Sequence, residues 1–276
     1  MSAVKTGDVL TLAQVRRVAV MLGIDPRDLS EGALLPRGWH FALLAGETPR
    51  QLLRSDGFPG LGVAMPQLDR PRLLLGQRTS SFQGQLRIGA PIRRESRIAS
   101  IAEKVSKAGP LSIVKVEHTL SDDNGLVAVE EAQTYYLAGL PVAGGGTAEP
   151  PKTAPAPTPE GVGKVMTPDE LMLFQYSALG FNTHRIHFDR DYATRVEGYP
   201  DLVVNGGLAT LLATEFLRID LGKTVKSLSA RHMAPLYVNR PLTIVMTEPT
   251  ETGAKVLLLD NAGVVAAELG VTFDDL

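Results

Sequence analysis

The stretch FNTHRIHFD, residues 181–189, sets His184 and His187 three positions apart in a chain that has only 5 histidines. Three chemistries are open to it. A metal reading needs His184, His187 and Asp189 to aim at one ion. The IHFD segment reads as extended, which would turn neighbouring side chains to opposite faces, and no metal is expected. An acid/base reading rests on His187, because an imidazole exchanges protons near neutral pH. A packing reading makes one or both rings buried groups bonded to backbone.

The surroundings favour proton chemistry. Asn182 lies five positions before His187, and about twenty residues further on Val204-Asn205-Gly206-Gly207 opens a helix-like run. The first turn of a helix presents unpaired N–H groups and a partial positive charge, and glycines let a ligand oxygen approach them. Such a terminus can hold a thioester carbonyl oxygen as negative charge develops on it. Amide, imidazole and oxyanion donor are the minimum set for adding water across a double bond conjugated to a thioester, or for removing it.

Elements must position these groups. TLAQVRRVAVMLGI places Leu12, Val15, Val18, Ala19 and Leu22 on one helical face, stopped by Gly23 and Pro26. Four strand-like runs follow within residues 71–138, punctuated by Gly109-Pro110 and by Asp122-Asp123-Asn124-Gly125. Residues 141–164, PVAGGGTAEPPKTAPAPTPEGVGK, carry almost no large apolar side chains and read as a linker. Beyond it LMLFQYSALGF leads into the histidine stretch, and GGLATLLATEFLRIDLG reads as a helix with Gly222 just past its end. Strands are then expected in SLSARHMAPLYVN, PLTIVMTEPTETG, AKVLLLDNAG and VVAAELGVTFDD. The expected units are 1–140, the linker 141–164, and 165–276, each unit a helix against a curled antiparallel sheet in an α+β architecture.

Composition removes several function classes. The formal charge is -2, and residues such as Arg16, Arg93, Lys104 and Arg231 are scattered, so no nucleic-acid partner is expected. With 0 cysteines there is no thiol nucleophile and no cysteine-rich zinc knuckle. No apolar run reaches a membrane-spanning length and the start lacks an apolar signal core, so no membrane is expected, and the cytoplasm is the default location. Dinucleotide, P-loop, G-x-S-x-G and H-E-x-x-H motifs are missing from the sequence.

The residues carry a resemblance. YSALGFNTHRIHFDRDYATRVEGYPDLVVNGGL is similar to the signature of the MaoC-like hydratases and dehydratases. Within them it is closest to the branch of mesaconyl-C4-CoA (3-methylfumaryl-CoA) hydratase, itaconyl-CoA hydratase and mitochondrial-type 3-hydroxyacyl-thioester dehydratase. GAPIRRESRIASIAEKVSKAGPLSIVKVEHTL resembles the amino-terminal domain of that branch, so the likeness spans nearly all of the chain except the linker.

The resemblance implies a double hotdog, with two antiparallel sheets each wrapped around a central helix. It implies reversible hydration of an α,β-unsaturated acyl thioester, the partner being acyl-CoA or an acyl carrier protein thioester, with no cofactor. Aligning its motif puts His187 at the proton-transfer position, Asn182 where the wider family has Asp, and Gly206 and Gly207 at the oxyanion-binding turn. Gly180, Asn205 and Gly207 stand where the branch usually has Thr, His and Pro, which bears on substrate identity. The first half has no matching Asn/His pair and is expected to be a degenerate partner shaping the acyl tunnel. A homodimer of such chains is left open.

Around that core, Asn205, His184, Arg185 and Tyr199 are candidate substrate-binding residues. Asp189 is expected to cap a turn, Trp39 to pack in a core or interface, and His232 to be structural with a route to the pocket. Two alternatives stay open: a hotdog thioesterase using Glu215, and a non-catalytic acyl-CoA-binding partner.

Overall fold

A computed structural model describes residues 3–106, 109–140 and 160–274. The first half comprises β1 (Val4–Val9), α1 (Leu12–Met21), β2 (Arg72–Phe82), β3 (Pro91–Ser106), β4 (Gly109–Ser121) and β5 (Val127–Ala138). The second comprises β6 (Val162–Met166), α2 (Glu170–Leu179), α3 (Gly206–Glu215), β7 (Val225–His232), β8 (Leu242–Thr247), β9 (Gly253–Leu259) and β10 (Val265–Phe273).

Two separate sheets were the expectation, and here the structure differs. Among the described residues the strands form one ten-stranded sheet in the order β1-β3-β4-β5-β2-β7-β10-β9-β8-β6. The join is an antiparallel pairing of β2 with β7, Gln77 opposite Arg231 through Ser81 opposite Ser227. Each half would otherwise end in a strand with open N–H and C=O groups, and pairing the two edges satisfies both.

The halves also differ in what their sheet encloses. In the second, α3 is buried at every position from Gly207 to Glu215, as an apolar helix must be when it lies inside a curled sheet. Among the described residues the first half has no α-helix buried in this way. It has instead a short 3₁₀ segment, Trp39–Leu44, in which every residue is buried. The α1 helix lies elsewhere, packed on α2 and started by a capping box between Thr11 and Gln14.

Strand boundaries differ at three places for local reasons. β1 was not anticipated and pairs with β3. β6 begins inside the stretch read as linker and pairs with β8, because its backbone needs a partner even where its side chains are exposed. The rest of that linker, residues 141–159, falls outside the described residues. The strand expected to run on through Met233–Asn239 ends at His232, and Tyr237 instead bridges to Val203. No helix among the described residues is long and apolar enough to cross a membrane.

Trp39 ties the two halves at the far end of α3, its Nε1–H donating to Glu215 Oε1 at 2.9 Å in a buried setting. Trp39→Phe removes one of the two donors to that buried carboxylate oxygen, the other being Arg218 Nε at 3.0 Å. We expect a loss of about 1–3 kcal/mol, read as a lower denaturant midpoint at unchanged slope.

Candidate active site

The site begins where α2 ends. Asn182 N–H donates to Ser177 O at 2.8 Å and Phe181 N–H to Ala178 O at 3.2 Å, a Schellman closure. The left-handed residue of that closure is Phe181, at φ 44, while Gly180 keeps an ordinary φ of -88. Asn182 Oδ1 then accepts the His184 N–H at 3.1 Å. That Asx turn leads into a 3₁₀ turn, Arg185–His187, which replaces the extended IHFD expected from sequence. The turn sends Ile186 and His187 inward, while Arg185 stays partly exposed.

His187 is 7% exposed and its Nδ1 lies 2.7 Å from Val203 O. A carbonyl only accepts, so Nδ1 carries the proton and Nε2 keeps its lone pair. Burial, with a smaller contribution from His184, pushes the imidazole down to about 3, against the opposing Val203 hydrogen bond. The ring is neutral at working pH and poised as a base. His184 packs edge-on against it at 5.2 Å and is itself pushed down to about 3 by burial and Arg54. Behind His184, Asp56 Oδ2 and Glu197 Oε1 each lie 3.9 Å from its Nε2.

The second part of the site is the first turn of α3. Asn205 holds the N-cap position but makes no side-chain cap. Its Nδ2 donates to Ser177 Oγ at 3.3 Å instead, tying α3 to α2. The leading amides of the helix are thereby left to whatever lies in front of them. In front is a cavity of ≈ 480 Å³, lined by Asn182, His184, His187, Tyr199, Asn205, Gly206 and Gly207 among others. Since Asn182 Oδ1 is taken by His184, its free end toward the cavity is the Nδ2 donor.

Seven of the eight residues singled out from sequence therefore meet around one cavity, and Arg185 does not line it. Its guanidinium pairs with Asp189 at 2.8 Å and lies 4.1 Å over the Tyr192 ring. Asp189 also accepts the Tyr192 N–H at 3.0 Å, so it caps the next turn as expected. Tyr199 is held by Arg72, whose Nε donates to its hydroxyl at 3.1 Å. Glu215 is engaged by Trp39 and Arg218 and is not among the residues lining the cavity, which removes the carboxylate on which a thioesterase reading depended.

His232 reaches the cavity, as its strand was expected to allow, and sequence reasoning missed Arg78 and Tyr176, which also line it. A signal for Arg78 was present: in the alternation of β2 and β5, Arg78, Ser80, Glu131 and Gln133 occupy the buried phase, where apolar residues belong.

With that geometry established, comparisons place the chain. A MaoC-like dehydratase from Phytophthora capsici superposes with a TM-score of 0.70 at 14% identity, covering 100% of this chain and 96% of that one. A Mycobacterium tuberculosis protein described as having a double hotdog fold superposes with a TM-score of 0.62 at 14% identity, over 99% and 94% of the two chains. These likenesses establish the class of fold: a double hotdog. Residues 38–238 match the hydroxyacyl-thioester dehydratase type 2 family, and the chain belongs to it. It is also 34% identical to the mesaconyl-C(4)-CoA hydratase of Chloroflexus aurantiacus over 245 residues, 86% of this chain and 84% of that protein.

Two measurements test the site's physics. Histidines buried as neutral rings bind protons in the unfolded chain near 6.5 and in the folded chain only near 3 to 4, at His118, His184, His187 and His232. Stability is then fully present above about 6.5 and falls as pH drops toward 4. Denaturation midpoints should fall across that window, less steeply in His184→Gln. Phe181→Gly should raise stability by about 1 kcal/mol by relieving the left-handed backbone at an exposed position.

Proposed function

We propose that this chain catalyses the reversible hydration of an α,β-unsaturated acyl thioester, with acyl-CoA as the substrate class. The observation that carries the reading is the meeting of a neutral, buried His187 and an α3 terminus without a side-chain cap around one cavity. Membership of the hydroxyacyl-thioester dehydratase family supports a hydro-lyase, and the name of the Chloroflexus relative supports CoA as the thiol.

The chemistry follows from the residues. Asn182 donates from Nδ2 to a water oxygen and holds it beside His187. As the oxygen attacks the β-carbon, His187 Nε2 takes the water's proton. The π electrons move onto the thioester oxygen, where the Gly206 and Gly207 amides meet the developing charge. The imidazolium keeps its Nδ1–H on Val203 O and returns the proton to the α-carbon, which restores the carbonyl and leaves a 3-hydroxyacyl thioester. Dehydration is the same path reversed.

In this reading the first half shapes the acyl site, as Phe58, Leu61, Leu73 and Leu75 line the cavity from its side. Tyr199 and His184 orient what enters, and Asn205 anchors the turn. A binding-only role is disfavoured because it has no use for an imidazole held in a single tautomer beside unpaired amides.

His187→Ala should lower kcat for crotonyl-CoA hydration about 10²–10⁴-fold, followed by loss of the enoyl-thioester absorbance. An unaltered rate refutes the assignment. Because His187 stays neutral below its ordinary pKa, the acid limb of kcat/KM should fall below pH 6.5.

A further inference from the structure

The Gly207 turn is not bordered by backbone alone. A Cβ added at Gly207 would lie 2.2 Å from the Tyr176 hydroxyl and 3.2 Å from Arg78 NH1, so a phenol and a guanidinium already occupy the space beside that amide. Both side chains line the cavity, and both are nearly inaccessible, Tyr176 at 5% and Arg78 at 7%. The glycine is required because Tyr176 stands where any side chain would go.

Both groups are held in place from outside the second half's own site. The Tyr176 ring stacks on Phe41 with centroids 4.4 Å apart at 18°. Arg78, on β2, sits 3.1 Å through Nε from Glu131 Oε1 of β5, and Glu131 Oε2 lies 2.8 Å from His40 Nε2. Ser80 Oγ donates to the same carboxylate at 2.9 Å. Burial alone would raise the Glu131 carboxyl, but Arg78 and the His40 hydrogen bond hold it below its usual range. The anchor is thus a carboxylate, and Arg78 stays a cation beside it.

Direction of donation then follows. Arg78 NH1 and the Tyr176 hydroxyl flank the same point at Gly207, and a guanidinium only donates, so Arg78 cannot take the phenol's proton. The Tyr176 proton is left for another acceptor. Burial raises the phenol above its ordinary value despite the pull of Arg78, which keeps that proton on at working pH. An oxygen accepting the Gly207 amide is the acceptor this arrangement fits.

We propose that Tyr176 is a further catalytic residue, its hydroxyl donating to the thioester oxygen beside the Gly207 amide, with Arg78 and Glu131 of the first half as the positioning pair that polarises it. The proposal rests on the hydratase reading above. It gives the first half a part in the chemistry itself: the charge that stabilises the enolate is delivered across the β2–β7 join. No bond to Tyr176 forms or breaks; the phenol keeps its proton throughout and shares it most strongly with the enolate oxygen.

The test compares wild type, Tyr176→Phe and the charge-neutral pair Arg78→Met with Glu131→Gln on two substrates, crotonyl-CoA and the CoA monothioester of but-2-enedioic acid. Tyr176→Phe keeps the ring stack, so the fold should hold. Its kcat should fall about 10²-fold on both substrates with KM little changed and the pH profile unmoved, the scale of losing one oxyanion donor. The paired variant should shift kcat in the same sense. A second readout needs no turnover: the carbonyl stretch of bound butyryl-CoA should lie lower in wild type and move back toward its solution value in Tyr176→Phe.

Tyr176→Phe rates within threefold of wild type, or an unmoved carbonyl stretch, overturn the proposal. So does a loss in the paired variant confined to the carboxylate-bearing substrate, which would make Arg78 a reader of that carboxylate. A wild-type chain that hydrates neither thioester overturns the hydratase reading and this one with it; a chain that hydrates both and ignores Tyr176→Phe overturns this one alone.

Discussion

A helix terminus buried without a side-chain cap is the constraint around which the rest of the molecule is arranged. The first amides of α3 face inward, Asn205 spends its side chain on Ser177 instead of on them, and the ten-stranded sheet and the loops around it close over the region. Orphan donors in such a setting cost free energy unless a partner arrives, and in a medium of low dielectric they attract a developing negative charge far more strongly than they would in water. The fold therefore carries a local deficit that an enolate oxygen can fill.

The same burial that leaves the amides unpaired also sets the protonation of the groups around them. His184, His187 and His232 are nearly inaccessible or enclosed by the cavity, and all are pushed well below the ordinary imidazole value. Desolvation is the main cause at each, so neutral rings are a property of the enclosure and not of any single neighbour. Val203 then decides which nitrogen of His187 carries the proton, since its carbonyl can only accept. One enclosure thus produces both a base with a free lone pair and an electrostatic site for charge.

The two halves divide the work unequally. The second supplies the histidine turn and α3. The first has a buried 3₁₀ segment in place of a buried helix among its described residues, and it contributes walls of the cavity and the buried Arg78–Glu131–His40 group. Pairing of β2 with β7 makes this sharing rigid: Arg78 lies opposite Ala230 across the join, and α3 contacts β7 on the other side. A charged group brought in through a sheet pairing cannot drift away from the amides it faces, as one on a loop could.

The sequence by itself determined the strand and helix periods, the turn residues, the glycines opening α3 and the five-residue spacing of Asn182 and His187, because each is a local pattern governed by backbone geometry and side-chain burial within a few residues. It misread the Arg185–His187 turn as extended, since the Asx and Schellman hydrogen bonds that curl it depend on Phe181 accepting a left-handed φ that its type disfavours. It also left β6 in the linker and the two sheets apart, and it could not see Arg78 and Tyr176 beside Gly207. Those are contacts between residues far apart in the chain, and their free energy exists only once β2 and β7 pair and the sheet closes around α3. Tertiary structure alone decided them, because desolvation and edge pairing are properties of the assembled enclosure.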